Sequence, residues 1–249
     1  MRVKVIVALC ISSFLLMGCL SSNQLSSSLG AAGSLVKGLT VTKKDLVESA
    51  KLSAEEMDKE AKIAPASSKY TKRLNRLTKN LRTYDGMKLN YKVYLSKDVN
   101  AFAMPDGTVR VYSGLMNLMN DDELMAVIGH EIGHVALEHS LTQYRKQYIT
   151  NAARLGLAAS GENAALATSA FGDLGEEFIN AQFSQADELE ADAYGVKVLK
   201  KLKRNPYAAV SAQKKLQKLG ASGGLLSSHP SSETRIARAT EAADKISGK

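Results

Sequence analysis

The stretch Val127-Ile128-Gly129-His130-Glu131-Ile132-Gly133-His134-Val135 decides how this chain is read. Two histidines four residues apart are about one helical turn apart. On a helix both imidazoles then project from one face, as ligation of a single metal ion requires. Glu131 lies beside them, where its carboxylate can take a proton from an attacking water. Leu124, Ile128 and Val135, with the small Gly129 and Gly133, give the helix a face to bury. Asp121 or Asp122 can cap it, and the pattern runs to about Ser140.

A catalytic zinc takes three protein ligands and keeps one position open. The chain has 4 histidines. His139 is a poor third ligand, because at 100° per residue it sits about 180° around the helix from His130. It also lacks the spacing of the inverted H-x-x-E-H pattern, so it reads as structural or surface. A carboxylate in Ala186-Asp187-Glu188-Leu189-Glu190-Ala191-Asp192 fits better. Glu188 and Asp192 are i,i+4 and share one helix face. One helix, predicted from about Asn180 to Arg204 with Ala186, Leu189, Ala193 and Val196 buried, therefore supplies a ligand and an orienting group. Glu188 binds the metal, and Asp192 accepts the second N–H of a metal-bound histidine. Glu190 points about 200° away from Glu188, toward solvent.

Around these motifs the periodicity is mainly helical. Helices are predicted over Lys43 to Ile63, over Ser67 to Thr83 with Tyr70, Leu74, Leu77 and Leu81 in one stripe, and after Pro206 as far as Gly220. Leu141 to Leu174 is Ala-rich, helical and interrupted by Gly156, Gly161 and Gly172, too broken to span a membrane. Ala221 to Ser228 reads as a Gly/Ser loop before His229-Pro230 and a final helix to Ile246. The β signal is confined to one region. Leu89, Tyr91, Val93 and Leu95 alternate with polar neighbours as in a half-buried strand, and Pro105-Asp106-Gly107 turns a hairpin between Ala101–Met104 and Thr108–Tyr112. The fold class is α+β, mainly helical, with a small antiparallel β-sheet or hairpin beside the H-E-x-x-H helix.

The first residues carry an address. Arg2 and Lys4 precede the apolar stretch Val5 to Met17, which has the size of a signal h-region and is short for a membrane span. Leu16-Met17-Gly18-Cys19 then resembles the lipobox of bacterial lipoproteins. Residues 1–18 are thus expected to be a signal peptide, with Cys19 lipidated as the mature N-terminus. Ser/Gly-rich residues 19–41 are expected to be a flexible tether of roughly 25 Å r.m.s. reach, and 42–249 the folded domain. The 2 cysteines are Cys10 and Cys19, so this reading leaves the domain without a thiol or disulfide. Leu20 after Cys19 resembles an outer-membrane sorting signal, which places the chain in the cell envelope as an outer-membrane lipoprotein facing the periplasm. The formal charge of +8 comes from basic residues spread over helices. Together with export this excludes nucleic acid as a partner and leaves a solvated basic surface.

The order His130-Glu131-Ile132-Gly133-His134, then Glu188-Leu189-Glu190-Ala191-Asp192, resembles the bacterial zinc metallopeptidases of family forty-eight, the HtpX/BepA/LoiP type. Asn100 to Gly114 is similar to that family's strand–hairpin segment before the zinc helix. His229-Pro230 with Arg235 is similar to its C-terminal His-Pro/Arg element. The resemblance implies a zincin-like fold and one zinc ion per chain on His130, His134 and Glu188. It implies Glu131 as base and Asp192 as the orienting carboxylate. His229 would sit near the zinc, either stabilising the oxyanion or occupying the open position as a gate, and Arg235 is a candidate for stabilising transition-state charge. An extended substrate could add to the strand Asn100, Ala101, Phe102, Ala103 and Met104. The implied substrates are proteins and peptides, in particular unfolded or misassembled envelope proteins. Implied partners are the membrane through lipidated Cys19, and other envelope proteases or assembly proteins. Two readings compete: a lipoprotein chaperone or scaffold on the same fold with a gated or structural metal, and an adaptor whose basic face binds lipid or cell wall. An intact Glu131 favours the enzyme, since a purely structural metal site has no need of it.

Overall fold

Helix α4, Asp121–Ala136, runs through the middle of the fold with Leu124, Met125, Ile128 and Ile132 fully buried. The computed structural model describes residues 40, 42–143, 145–146, 150, 183–219 and 225–248. These belong almost entirely to one unit made of residues 41–146 and 171–249. The signal segment, Cys19, nearly all of the tether and most of the Ala-rich 141–174 segment lie outside the described residues.

Ahead of α4 come α1 (Lys43–Glu60), α2 (Lys69–Thr78) with a 3-10 turn Lys79–Leu81, five short strands, and α3 (Ser113–Leu118). After it come α5 (Gln185–Lys201), α6 (Ala208–Gln217), the single turn α7 (Leu225–Ser228) and α8 (Glu233–Ser247). Local chemistry sets the starts. Thr42 with Asp45, Asn120 with Glu123, and Ser184 with Asp187 each form a reciprocal capping box. Asn120 rather than Asp121 or Asp122 is therefore the N-cap of α4. The two aspartates occupy its first turn, where the helix dipole favours negative charge. Helix α5 is also shorter than the periodicity predicts, ending at Lys201. Its buried face is Glu188, Ala191, Asp192, Gly195, Val196 and Leu199, and Ala186 is exposed. The face turned inward is the one carrying the carboxylates. Helix α7 falls inside the stretch read as a loop.

Strands β1 (Thr83–Tyr84) and β2 (Met87–Lys88) make a two-residue hairpin across Asp85 and Gly86, both at positive φ. The main sheet has the order β3-β5-β4, from β3 (Asn90–Tyr94), β5 (Thr108–Tyr112) and β4 (Ala101–Ala103). The β4–β5 hairpin is antiparallel as expected, with Phe102 opposite Arg110. Strand β3, however, pairs parallel to β5, Asn90 with Thr108 through Tyr94 with Tyr112, so the sheet is mixed. Gly107 closes the hairpin at φ +89°, where a Cβ would lie 2.0 Å from the Lys88 carbonyl oxygen.

One face of this sheet carries Tyr91, Val93, Val109 and Val111 into the core shared with α4. Helix α1 covers the other, which is why β3 is not simply half-buried. Ala50 and Ala54 pack on Tyr94, Phe102 and Met104, and Tyr94, Phe102 and Tyr112 meet edge-to-face. Beside this patch Asp58 of α1 accepts both arms of Arg110 at 2.8 Å, Lys92 at 2.7 Å and the Tyr94 hydroxyl at 2.8 Å. Burial pushes the Asp58 pKa up, but the hydrogen bonds from Arg110, Lys92 and Tyr94 outweigh it and pull the carboxyl down to about 2. A folded-state pKa below the unfolded one stabilises the fold above the unfolded value, and that contribution fades as pH falls through the folded one. The stability gap between the wild type and Asp58→Asn, measured by urea unfolding, is therefore expected to shrink between about pH 4 and pH 2. A gap that stays constant across that range would show that the substitution removes packing and not the charge.

Candidate metal centre

Helices α4 and α5 approach closely because small residues face each other. A Cβ on Gly129 would lie 3.0 Å from Gly195 Cα, and one on Gly133 would lie 3.2 Å from Ala191 Cα and 3.0 Å from Tyr194 Cβ. Mid-helix glycine costs about 1 kcal/mol against alanine, and the close approach it permits offsets this. The approach sets His130 and His134 of α4 directly against Glu188 and Asp192 of α5. Helix α7 and the start of α8 bring His229 and Arg235 to the same point, where all six side chains are buried.

The donor atoms converge. His130 Nε2 is 3.1 Å from His134 Nε2 and 3.2 Å from His229 Nδ1. Glu188 Oε1 is 3.2 Å from His134 Nε2 and 2.8 Å from His229 Nδ1, and Glu188 Oε2 is 3.6 Å from His130 Nε2. One atom from each of His130, His134, Glu188 and His229 lies within 4.8 Å of all the others. Four atoms around a zinc at ordinary bond lengths stand about 3.3 Å apart, so the cluster has the size of a tetrahedral site.

The states of His134 and Glu188 and the orientation of His130 fit a cation as well. His130 Nδ1 donates to Asp192 Oδ1 at 2.9 Å, so His130 Nε2 turns a lone pair inward. Burial holds His134 well below the usual imidazole range, which leaves it neutral. Burial pushes Glu188 up, but the three surrounding histidines outweigh this and hold it well below the usual carboxylate range, ionised. A neutral imidazole and a carboxylate are the forms that bind metal. Glu188 Oε2 is buried without a hydrogen-bond partner, although Arg235 Nη1 stands 2.6 Å away as a charge contact out of hydrogen-bond alignment.

Asp192 is the hub behind this cluster. Besides the His130 bond it accepts Arg235 Nε at 2.8 Å and Nη2 at 2.7 Å, and Gln213 Nε2 at 3.1 Å. Arg235 Nη1 donates to the carbonyls of His229 and Pro230. The guanidinium is thus held by Asp192 and the His229 and Pro230 carbonyls, with Glu188 Oε2 beside it. Burial raises the Asp192 pKa, but Arg235 and then His130 outweigh it and hold the carboxyl down.

Glu131 faces the cluster. Its Oε1 is buried without a hydrogen-bond partner and lies 3.7 Å from His229 Nε2. Burial raises its pKa against the opposing pull of His229 and His130, which suits a proton acceptor at neutral pH. His229 is pulled down by burial and held up by Glu131 and Glu188, with a net upward shift.

Three neighbours escape sequence reasoning. Phe183, just before α5, stacks on His134 with ring centroids 3.8 Å apart. Gln213 looks like any polar residue of an amphipathic helix, so nothing in the sequence marks its bond to Asp192. His139 does not lie across the helix from His130, because α4 stops at Ala136 and Glu138 adopts φ +58°. The chain folds back, and His139 is buried with Nδ1 3.1 Å from His134 Nδ1. Counting at 100° per residue assumed a helix that continues. Glu190 is exposed as expected, yet its carboxylate reaches His139. The strand residues Asn100 to Met104 lie at the sheet edge next to α4, with the Phe102 side chain buried beneath α1.

A family model described as "Peptidase family M48" matches residues 68–243. Metalloprotease YcaL of Escherichia coli (strain K12) is 40% identical over 238 residues, 93% of this chain and 94% of that protein. Metalloprotease LoiP of the same organism is 46% identical over 185 residues, 73% of each chain. The β-barrel assembly-enhancing protease of that strain is 30% identical over 161 residues, 60% of this chain and 33% of its own length. The family match spans the strands, the H-E-x-x-H helix and every element that feeds the donor cluster. The chain therefore belongs to peptidase family M48 and is a zinc-dependent metalloprotease.

Proposed function

We propose that the chain is an endopeptidase for unfolded or misassembled cell-envelope proteins, held at the periplasmic face of the outer membrane by lipid on Cys19. The observation that carries the catalytic part is Glu131, a buried carboxylate with an unpartnered oxygen beside a cluster of four metal donors. His130, His134 and Glu188 are the ligands, and Glu131 is the base. When bound, zinc lowers the pKa of water and polarises the scissile carbonyl. Glu131 takes the proton of the attacking water and hands it to the leaving amine. Asp192 fixes the ring and tautomer of His130. Arg235, bonded to Asp192 and the backbone and with Nη1 2.6 Å from Glu188 Oε2, positions both carboxylates and sets its charge beside the donor cluster.

Of the two roles open to His229, the geometry favours the gate. Its Nδ1 stands among the ligand atoms and its Nε2 faces Glu131, so the imidazole fills the space that water and substrate need. Catalysis then requires it to withdraw. An extended substrate is proposed to add along the open edge of β4. Phe102 pairs with Arg110, and the bonds from Tyr112 N–H to the Asn100 carbonyl and from Met104 N–H to the Thr108 carbonyl turn Asn100 and Met104 toward β5 as well. Ala101 and Ala103 therefore turn their backbone groups to the other side, where the Ala101 N–H is taken by Asn100 Oδ1 at 2.9 Å and the Ala101 carbonyl and Ala103 are left to pair. Among the described residues no strand occupies that side, and an extended peptide can add there.

The envelope setting rests on the signal pattern ending at Cys19 and on the likeness to a β-barrel assembly-enhancing protease. Among the described residues no helix is long and apolar enough to cross a membrane; the proposed attachment is the lipid on Cys19. The test is cleavage of casein by the zinc-loaded mature chain, beside His229→Ala and a Cys19→Ser chain. The wild type is expected to cleave, and His229→Ala to cleave several-fold faster at unchanged zinc content. The Cys19→Ser chain is expected to leave the membrane fraction. Slower cleavage by zinc-replete His229→Ala would return His229 to the oxyanion role. No cleavage by either chain would support the scaffold reading in place of the enzyme.

A further inference from the structure

The turn that ends α4 does more than reverse the chain. Leu137 and Glu138 span it, and the Glu138 carboxylate is tied to Lys43 Nζ of α1 at 2.9 Å. His139 follows, 5% exposed, with its ring nearly perpendicular to that of His134. Its Nδ1 faces His134 Nδ1 at 3.1 Å. Its Nε2 faces Glu190 Oε2 at 3.3 Å and Asp187 Oδ1 at 3.8 Å, both on the first two turns of α5.

The direction of this chain of contacts follows from what each group can do. A carboxylate only accepts, so His139 Nε2 carries the proton that Glu190 receives. A neutral imidazole with a proton on Nε2 has its lone pair on Nδ1. That lone pair faces His134 Nδ1, which is the donor once His134 Nε2 gives its lone pair to a metal instead of a proton to Glu188 Oε1, 3.2 Å away. His134 Nδ1–H leaves His134 Nε2 with its lone pair turned toward Glu188 and His130, the form a metal ligand needs. His130 gets the same service from Asp192.

We infer that His139 is a positioning residue, which holds His134 in its metal-binding tautomer and orientation and is itself anchored by Glu190. The inference rests on His134 being a zinc ligand. The two ligand histidines are then oriented differently, His130 by a buried anion directly and His134 through a second imidazole backed by an exposed anion. The second device is open to solvent at its far end, where the Glu190 side chain is 64% exposed.

The readout is zinc affinity, measured by competition with a chromophoric chelator on the full mature chain. His139→Leu fills the volume but offers no acceptor, and it is expected to weaken zinc binding about 10–100-fold. His139→Asn keeps an oxygen near the position of Nδ1 and is expected to recover most of that loss. The melting temperatures of the metal-free variants should not follow this order, because a residue that only fills space would favour Leu over Asn. Should His139→Leu fail to fold, Glu190→Lys changes only an exposed side chain. It sets a cation against the His139 Nε2 proton and is expected to weaken zinc binding by roughly threefold or more. Wild-type affinity in His139→Leu, or in Glu190→Lys where Leu does not fold, would overturn the inference. His134→Ala separates the two layers. Zinc retained by His134→Ala would show that the ligand assignment itself is wrong. Zinc lost by His134→Ala but held normally by the His139 variants would sink only the positioning role.

Discussion

Glu131→Gln is expected to lower kcat/KM for casein by roughly 10²–10⁴-fold while zinc content stays at the wild-type level. Gln has the size and shape of Glu, so α4 keeps its packing. The substitution takes away only the carboxylate that accepts the proton. Glu131 lies outside the group of donor atoms that can hold a metal, so the metal should remain. The unpartnered Oε1 makes the outcome sharp, because no other hydrogen bond holds that oxygen for a structural purpose. A buried acceptor left without a partner costs stability, and here that acceptor faces the donor cluster, where an attacking water can use it. Equal cleavage by the two proteins would remove Glu131 from the reaction. Loss of zinc along with activity would make it a ligand or a structural element instead.

The second large effect is expected at Asp192, which binds His130, Arg235 and Gln213 at once. Asp192→Ala leaves the Arg235 guanidinium, 3% exposed, without its bidentate partner. Removing one side of a buried ion pair costs about 3–5 kcal/mol, and removing a histidine's orienting carboxylate costs about 10–100-fold in metal affinity. Both losses are expected together, the first in urea unfolding of the metal-free protein and the second in chelator competition. Asp192→Asn should fall between, since its oxygen still accepts from His130 or Arg235. Asp192 has a depressed pKa in the fold, so its stabilising contribution is complete above the ordinary carboxylate range and fades as the pH drops below it. The Asn variant should lack that acid limb. Wild-type stability and affinity in Asp192→Ala would mean that the Asp192 hub carries no load.

Much of the centre was legible because its chemistry repeats at helical spacing. His130 and His134 are one turn apart, as are Glu188 and Asp192, so each pair could be assigned to one face without knowing how the helices meet. Their juxtaposition was not legible. It depends on Gly129 and Gly133 meeting Gly195 and Ala191 across an interface, and single small residues carry little signal of what they touch. His139 eludes a helical count for a different reason. The helix ends three residues before it, and the positive φ that turns the chain falls on Glu138, where no glycine announces it. Asn120 does not stand out as the N-cap because two aspartates, equally able to cap, follow it. The parallel pairing of β3 with β5 was hidden because alternation reports which face is buried and says nothing of strand direction. Helix α7 lay in a Gly/Ser stretch whose composition reads as loop. It is held from outside by the bond of Leu225 N–H to the Val99 carbonyl.

The central claim is that one zinc ion sits among His130, His134 and Glu188 with Glu131 beside it. The most direct measurement is an anomalous difference map at the zinc absorption edge from crystals of the zinc-loaded mature chain. A single strong peak is predicted within about 2.0–2.2 Å of His130 Nε2, His134 Nε2 and a Glu188 carboxylate oxygen. A peak elsewhere, or none in protein shown to carry stoichiometric zinc, would contradict it.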